Sequence, residues 1–287
     1  MGRIKQGWQL TKKAWGVVRE NPGLIKLPVI GGILATIAFI VFAIPGALVI
    51  DSSSSDAAYV GGGALIAIGT YLASYAVIYY NVALAAAADL AFRGQPADTT
   101  AGLAVAKQRR KVIAQWAAVS LVVSMIFNLL RDRGGLAGQI AASLGATLWA
   151  LITFLIAPVL AFEGLGPFDA IKRSGSMFKE KWGQQITGNL AIGTIAGILM
   201  FLSILVAVAG AMVLTSGATV AAAAGGGLIL LGVAGFVAAA ILSGAVRGVF
   251  GVALYRYIAD GAPVGPFTVA ELESSVKPSK GGRRAGV

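Results

Sequence analysis

The sequence contains no cysteine and no histidine. Without thiols there is no disulfide framework, no thiolate nucleophile and no cysteine-bearing metal or haem site. Without imidazole, the commonest general base and pH switch is missing. Charge is scarce as well. Only 12% of the 287 residues are Asp, Glu, Lys or Arg, about half the roughly 25% of a soluble domain. Acidic residues are the scarcer sign, 12 against 23 basic, for a net charge of +11. No nucleotide loop of G-x-x-x-x-G-K-[ST] form, no H-E-x-x-H helix and no G-x-S-x-G elbow occurs. The serines Ser52–Ser55 have no histidine to activate a hydroxyl, and Asp51 and Asp56 beside them read as a solvated turn. The expectation is therefore a non-enzymatic protein with no cofactor and no metal.

What is present is apolar. Hydrophobic residues make up 57% of the chain, glycine contributes 39 residues and mean hydropathy is +0.82. Six apolar runs stand out: 24–50, 59–90, 112–130, 136–162, 186–214 and 221–258. Each reaches the roughly 17–25 residues that cross a bilayer as a helix, and none shows the polar–apolar alternation of a barrel strand. The fold class expected is all-α: a polytopic membrane helix bundle of six transmembrane helices, arranged as three hairpins with interfacial amphipathic helices. One membrane domain over 1–265 would carry a tail over 266–287. A cleavable signal peptide is not expected, because the first run is long enough to span and its basic leader is too long.

Basic residues orient the bundle. The leader through Lys26, the connections 93–111 and 172–181, and the tail from Lys277 hold 19 of the 23. The opposite loops hold only Arg131 and Arg133. The asymmetry predicts both termini in the cytoplasm of a bacterial inner membrane. Topology explains the positive charge without nucleic acid, for which no recognition module is present.

The chain also repeats itself loosely, over 3–91, 99–163 and 168–260. Each unit runs from a basic segment through two spans to an acidic residue: Asp89, Glu163, Asp260. These carboxylates are expected to meet a basic group, or the amides of the next helix start, where they leave hydrocarbon. Within the basic segments, Ile4, Trp8, Trp15 and Val18 form one predicted apolar stripe, and Phe168, Ile171, Phe178 and Trp182 another. Helices of this kind lie in the membrane interface and attract anionic lipid. Lys12, Lys13, Arg109, Arg110, Lys172 and Arg173 are the candidate lipid- or partner-binding residues. A second copy of the chain or another membrane protein are the other partners weighed.

Asn81, Asn128, Asn189 and Arg247 join the three carboxylates as a candidate intramembrane or boundary polar network. The last run is 38 residues, about 57 Å of helix, against a hydrocarbon core of about 30 Å. It must tilt, break or protrude, and Arg247 falls in the headgroup region or is buried accordingly. Gly225-Gly226-Gly227 is expected to mark an irregular helix start, and Gly244-x-x-x-Gly248 a close helix contact.

Residues 162–189, FEGLGPFDAIKRSGSMFKEKWGQQITGN, combine an acidic span end, a Pro-Phe-x-Ala-Ile-x-x-Ser amphipathic helix and a Trp before the next span. This segment resembles uncharacterised bacterial six-span integral-membrane proteins. It is also similar to the membrane region attached to some glycerophosphodiester phosphodiesterases and to YciC-type inner-membrane proteins. The resemblance implies an integral-membrane role without a known substrate. The phosphodiesterase domain itself has no counterpart here, so hydrolysis is not implied. The function expected is organising or sensing the envelope through lipid or partners at the basic helices. The alternative is a transporter or channel for a small solute or lipid, which would need a polar cavity near the midplane.

Overall fold

The computed structural model describes residues 3–53, 55–182, 190–215, 219–269 and 271–272. Within them the chain is α-helical. In order the helices are α1 (Arg3–Glu20), α2 (Gly23–Ser52), α3 (Asp56–Phe92), α4 (Thr99–Gln108), α5 (Arg110–Arg133), α6 (Gly135–Ile152), α7 (Ile156–Phe162), α8 (Pro167–Trp182), α9 (Leu190–Leu214) and α10 (Thr219–Asp260). Six stretches are long and apolar enough to cross a membrane: Gly23–Ser52, Asp56–Phe92, Arg110–Arg133, Gly135–Phe162, Gly197–Leu214 and Ala223–Asp260. They pair as three hairpins, α2/α3, α5/α6 and α9/α10, with α1, α4 and α8 gathered at one end, the basic end.

The fourth stretch departs from the continuous helix expected. It breaks at Thr153–Leu155 into α6 and α7. Pro158 supplies the reason. It has no N–H to give the carbonyl of Phe154, and its ring crowds that same carbonyl. The chain answers with tighter bonds, Phe154 N–H to Leu151 O and Ile156 N–H to Thr153 O. The carbonyl of Ile152 accepts from the buried Ser174 hydroxyl of α8. A proline signal therefore becomes a docking point for a basic-end helix.

Large exposed apolar side chains form a belt. It runs from Ile30 to Val49 on α2, Tyr59 to Val77 on α3, Val122 to Leu130 on α5, Leu136 to Leu148 on α6 and Leu230 to Val237 on α10. On α2 this is about 30 Å of helix, the thickness of a hydrocarbon core. The packed core lies beyond the belt, at the basic end. It is built from Val82–Ala88 of α3, Leu155, Ile156 and Val159–Ala161, Ala245, Val246, Val249, Phe250 and Val252–Leu254 of α10, and Leu10, Ala14, Val17 and Val18 of α1. Lipid tails are as apolar as leucine, so no hydrophobic effect drives helices together inside the belt. The effect acts where water would otherwise reach, and there the core assembles.

Inside the belt the hairpins close on glycine. A methyl added at Gly46 of α2 would come within 2.7 Å of the Gly62 carbonyl oxygen of α3, and one at Gly69 within 2.9 Å of the Phe42 Cβ. In the third hairpin Gly210 and Gly225 oppose each other, each added methyl meeting the other's carbonyl at 2.6–2.7 Å. Gly225-Gly226-Gly227 is thus inside a continuous helix, contrary to the irregular start expected, because close approach to α9 selects glycine there. Of the Gly244/Gly248 pair only Gly248 meets a neighbour, the Leu84 side chain, while Gly244 faces open space.

Candidate functional site

α10 is continuous to Asp260 and carries its last three turns into the basic-end core. There it positions Arg256. The guanidinium donates to both Asp89 oxygens of α3, Nε to Oδ1 at 2.7 Å and Nη2 to Oδ2 at 2.8 Å. It also reaches Asp260 at 3.4 Å and lies over the Phe162 ring of α7, 4.5 Å from its centre. Arg93, one turn beyond Asp89, bonds the same carboxylate at 3.0 Å. The Asp89 side chain is only 10% exposed. The fork geometry of a guanidinium suits this bidentate grip.

Glu163 ends α7 and is held in the same neighbourhood. It accepts from Arg173 Nε of α8 at 2.9 Å and from the Tyr255 hydroxyl of α10 at 2.8 Å. The three carboxylates therefore each meet an arginine, and between them they tie α3, α7, α8 and α10. Each is followed closely by a glycine in the left-handed region: Gly94 (φ 72°), Gly164 (φ 65°) and Gly261 (φ 73°). A left-handed glycine at this position is a helix stop. At Gly164 a side chain would also collide with Arg109, whose Nε donates to the Ala161 carbonyl at 3.4 Å.

The six basic candidates divide. Lys13, Arg109 and Arg173 point at protein groups. Lys12, Arg110 and Lys172 are exposed, with Lys12 Nζ 5.5 Å from the centre of the Trp8 ring. Of the predicted apolar stripes, Ile4, Phe178 and Trp182 have side chains that lie outside the described residues, and the other members divide: Val18 is buried, Ile171 packs partly against the core, and Trp8, Trp15 and Phe168 are exposed. α1 buries Leu10, Ala14, Val17 and Val18, and leaves Trp8 and Trp15 exposed on the opposite side with Lys12. α8 buries Ala170, Ser174 and Met177 and exposes Phe168 at 71%. Helical periodicity marks two apolar faces on such a helix, and the smaller side chains take the protein side because they let the helix seat closely.

Lys13 has another task. Its Nζ donates to the Pro266 carbonyl at 2.8 Å and to Glu271 at 2.7 Å. The short segment after α10 thus docks on α1, with Phe267 and Leu272 buried in the core. Burial pushes the Glu271 carboxyl up, but the Lys13 ammonium and the Thr268 amide and hydroxyl outweigh it and hold the group below its ordinary range. A depressed carboxylate contributes stability above its unfolded pKa and loses it as pH falls through the folded value. Protection of the amides of Phe267, Thr268, Val269, Glu271 and Leu272 against hydrogen exchange, relative to the intrinsic rate at each pH, is expected to be high at neutral pH and to fall as pH drops below the ordinary carboxylate range. Glu271→Gln should abolish that acid dependence. An unchanged acid profile in the variant would assign the docking to Phe267 and Leu272 alone.

The remaining network residues scatter. Asn128 is exposed on α5, and Asn189 lies outside the described residues. Asn81 and Arg247 meet in a cavity of about 390 Å³ between α3, α5, the α6–α7 break and α10. Trp116 and Trp149 stack at its wall, 5.7 Å between ring centres and 3° between planes. Among the described residues no group of three or more Asp or Glu is placed to hold a metal ion.

These features define a polytopic all-α membrane protein with a packed, ion-paired basic end and lipid-facing hairpins. The chain belongs to a family of unknown function, DUF6159, whose model matches residues 60–265. The match takes in the Asp89, Glu163 and Arg256 cluster and the Arg247 cavity. α1, α2 and the docked segment 266–272 lie outside it. No curated protein and no solved structure matches the chain.

Proposed function

We propose that this protein is a non-enzymatic membrane organiser that gathers anionic lipid of the cytoplasmic leaflet around its basic end, in a bacterial inner membrane with both termini in the cytoplasm. One observation carries the reading. α1 turns Trp8, Lys12 and Trp15 outward while its other face is buried in the core. Indole rings favour the headgroup level, and a lysine beside them snorkels to phosphate. On α8, Phe168 and Lys172 repeat the pairing one turn apart. The orientation rests on the basic-residue asymmetry. The likeness of 162–189 to the membrane region of glycerophosphodiester phosphodiesterases and to YciC-type proteins stays a resemblance in sequence and adds no hydrolysis.

The test uses the full chain in mixed phosphatidylcholine–phosphatidylglycerol vesicles. After detergent extraction, the wild type should retain phosphatidylglycerol in preference to phosphatidylcholine. Lys12→Gln with Lys172→Gln should cut that preference by up to about thirtyfold, since each of the two charges near the surface is worth up to about 1 kcal/mol. Equal retention of both lipids by the wild type would sink the reading. In intact cells an impermeant thiol reagent should label Ser53→Cys and spare Ser176→Cys, and the reverse would invert the orientation. A second reading, a lipid or small-solute transporter, draws on the cavity beside Arg247.

A further inference from the structure

Arg247 stands ten residues beyond Val237, the last large exposed apolar side chain of the α10 belt. Its cavity neighbours stand just past the belt on their own helices: Asn81 after Val77, Ser120 before Val122, and Thr153 after Leu148. The cavity therefore sits at the level where hydrocarbon gives way to headgroups. Unlike Arg256 and Arg173, Arg247 makes no ion pair or hydrogen bond among the described residues. The three carboxylates that end the spans are committed elsewhere: Asp89 to Arg93 and Arg256, Glu163 to Arg173 and Tyr255, Asp260 to Arg256. No acid lines the cavity. A guanidinium at the edge of hydrocarbon is costly without a counter-charge, and among the described residues none is placed beside it.

Gly244, Gly248 and Gly251 of α10 line the space beside Arg247; a side chain at Gly244 would start in open space and one at Gly251 would approach Phe154 of the wall, whereas one at Gly248 would meet Leu84 instead. Its volume of about 390 Å³ falls in the range of small-molecule sites, enough for a glycerophosphate group. The side chains of Asn81 and Ser120 also make no hydrogen bond among the described residues, which leaves polar groups to meet phosphate or glycerol oxygens. Trp116, Phe154 and Ile156 make the rest of the wall apolar.

We infer that this cavity binds the head group of a net-anionic phospholipid, with Arg247 on the phosphate and the acyl chains running back along the belt between the hairpins. A planar fork matches a phosphate bidentately. A zwitterionic head is disfavoured, because its ammonium group finds no carboxylate in the lining. The site is separate from the Trp8–Lys12 face of α1 and does not depend on it.

The experiment follows the thermal midpoint of the full chain in detergent during titration with dioleoyl phosphatidylglycerol, dioleoyl phosphatidylcholine or sn-glycerol 3-phosphate. A ligand that binds only the folded state raises the midpoint with its concentration. Phosphatidylglycerol should raise it most. Arg247→Gln should weaken the apparent affinity for that lipid at least about tenfold, and Arg247→Lys should keep part of it. Gly244→Leu is the second variant. A side chain there starts in open space, so it fills the cavity without disturbing packing, and it should abolish the response even if Arg247→Gln fails to fold. Lys12→Gln with Lys172→Gln should leave the cavity response standing. Equal shifts with both lipids, or an undiminished response in Gly244→Leu, would overturn the inference. A shift with glycerol 3-phosphate as large as with the lipid would overturn it in favour of a soluble-anion site. Loss of the response in the lysine variant but not in the Arg247 and Gly244 variants would overturn it and leave the proposed function intact.

Discussion

Asp89→Ala is expected to destabilise the bundle by about 3–5 kcal/mol, the usual result of removing one partner from a buried ion pair. The Asp89 side chain is 10% exposed and that of Arg256 is 18% exposed. Deleting the carboxylate leaves a largely desolvated guanidinium beside Phe162 with only the half-exposed Asp260, 3.4 Å away, as its counter-charge. Arg93 has no such difficulty, because its side chain is 57% exposed and reaches water. The damage should therefore be relieved by removing the stranded charge. Asp89→Ala combined with Arg256→Met should recover much of the loss, since a well-packed apolar pair can replace a buried ion pair at little cost. Asp260→Ala is the control. Its carboxylate is half exposed and 3.4 Å from Arg256, so its loss should change stability by less than about 1 kcal/mol. Thermal midpoints in one detergent, measured for all four proteins, decide the matter. If Asp89→Ala proves as mild as Asp260→Ala, the cluster does not hold the three hairpins together.

The second large effect is expected at one glycine between two indifferent ones. Gly61, Gly62 and Gly63 are consecutive on α3, yet only Gly62 faces α2. A methyl there would run into the Gly46 carbonyl oxygen and the Ile50 side chain, while Gly61 and Gly63 face open space. Gly62→Val should cost at the upper end of about 1–3 kcal/mol, because overpacking here meets backbone, which cannot change rotamer. Gly61→Ala and Gly63→Ala should be neutral, or stabilising by up to about 1 kcal/mol through helix propensity. Thermal midpoints and protease susceptibility of the Ser52–Asp56 connection provide the measurement. Similar losses at all three positions would mean that helix flexibility, not the α2–α3 seam, selects glycine in this run.

The membrane class, the all-helical fold and the approximate positions of the spans were legible in the sequence, because bilayer thickness and backbone hydrogen bonding leave few alternatives for long uncharged runs. The break in the fourth span was legible too, in Pro158, but an apolar run hides a proline when only hydropathy is read. The pairing of Arg256 with Asp260 follows from a four-residue spacing on one helix. Its stronger bond to Asp89, 167 residues away, has no signature in either local stretch.

The faces of α1 and α8 show the limit most directly. Periodicity marks Trp8 and Trp15 as apolar, but a lipid interface and a protein core are both apolar partners. What the sequence determined by itself was therefore whatever the bilayer imposes on each segment separately: span length, helicity and the gathering of basic charge at one end. Only the tertiary structure decided which carboxylate met which arginine, which glycines closed a seam, and that Arg247 was left facing a cavity. Those outcomes depend on distances between helices, and inside lipid no hydrophobic force encodes them in composition. They are set by shape and charge matching at the few places where separate hairpins touch.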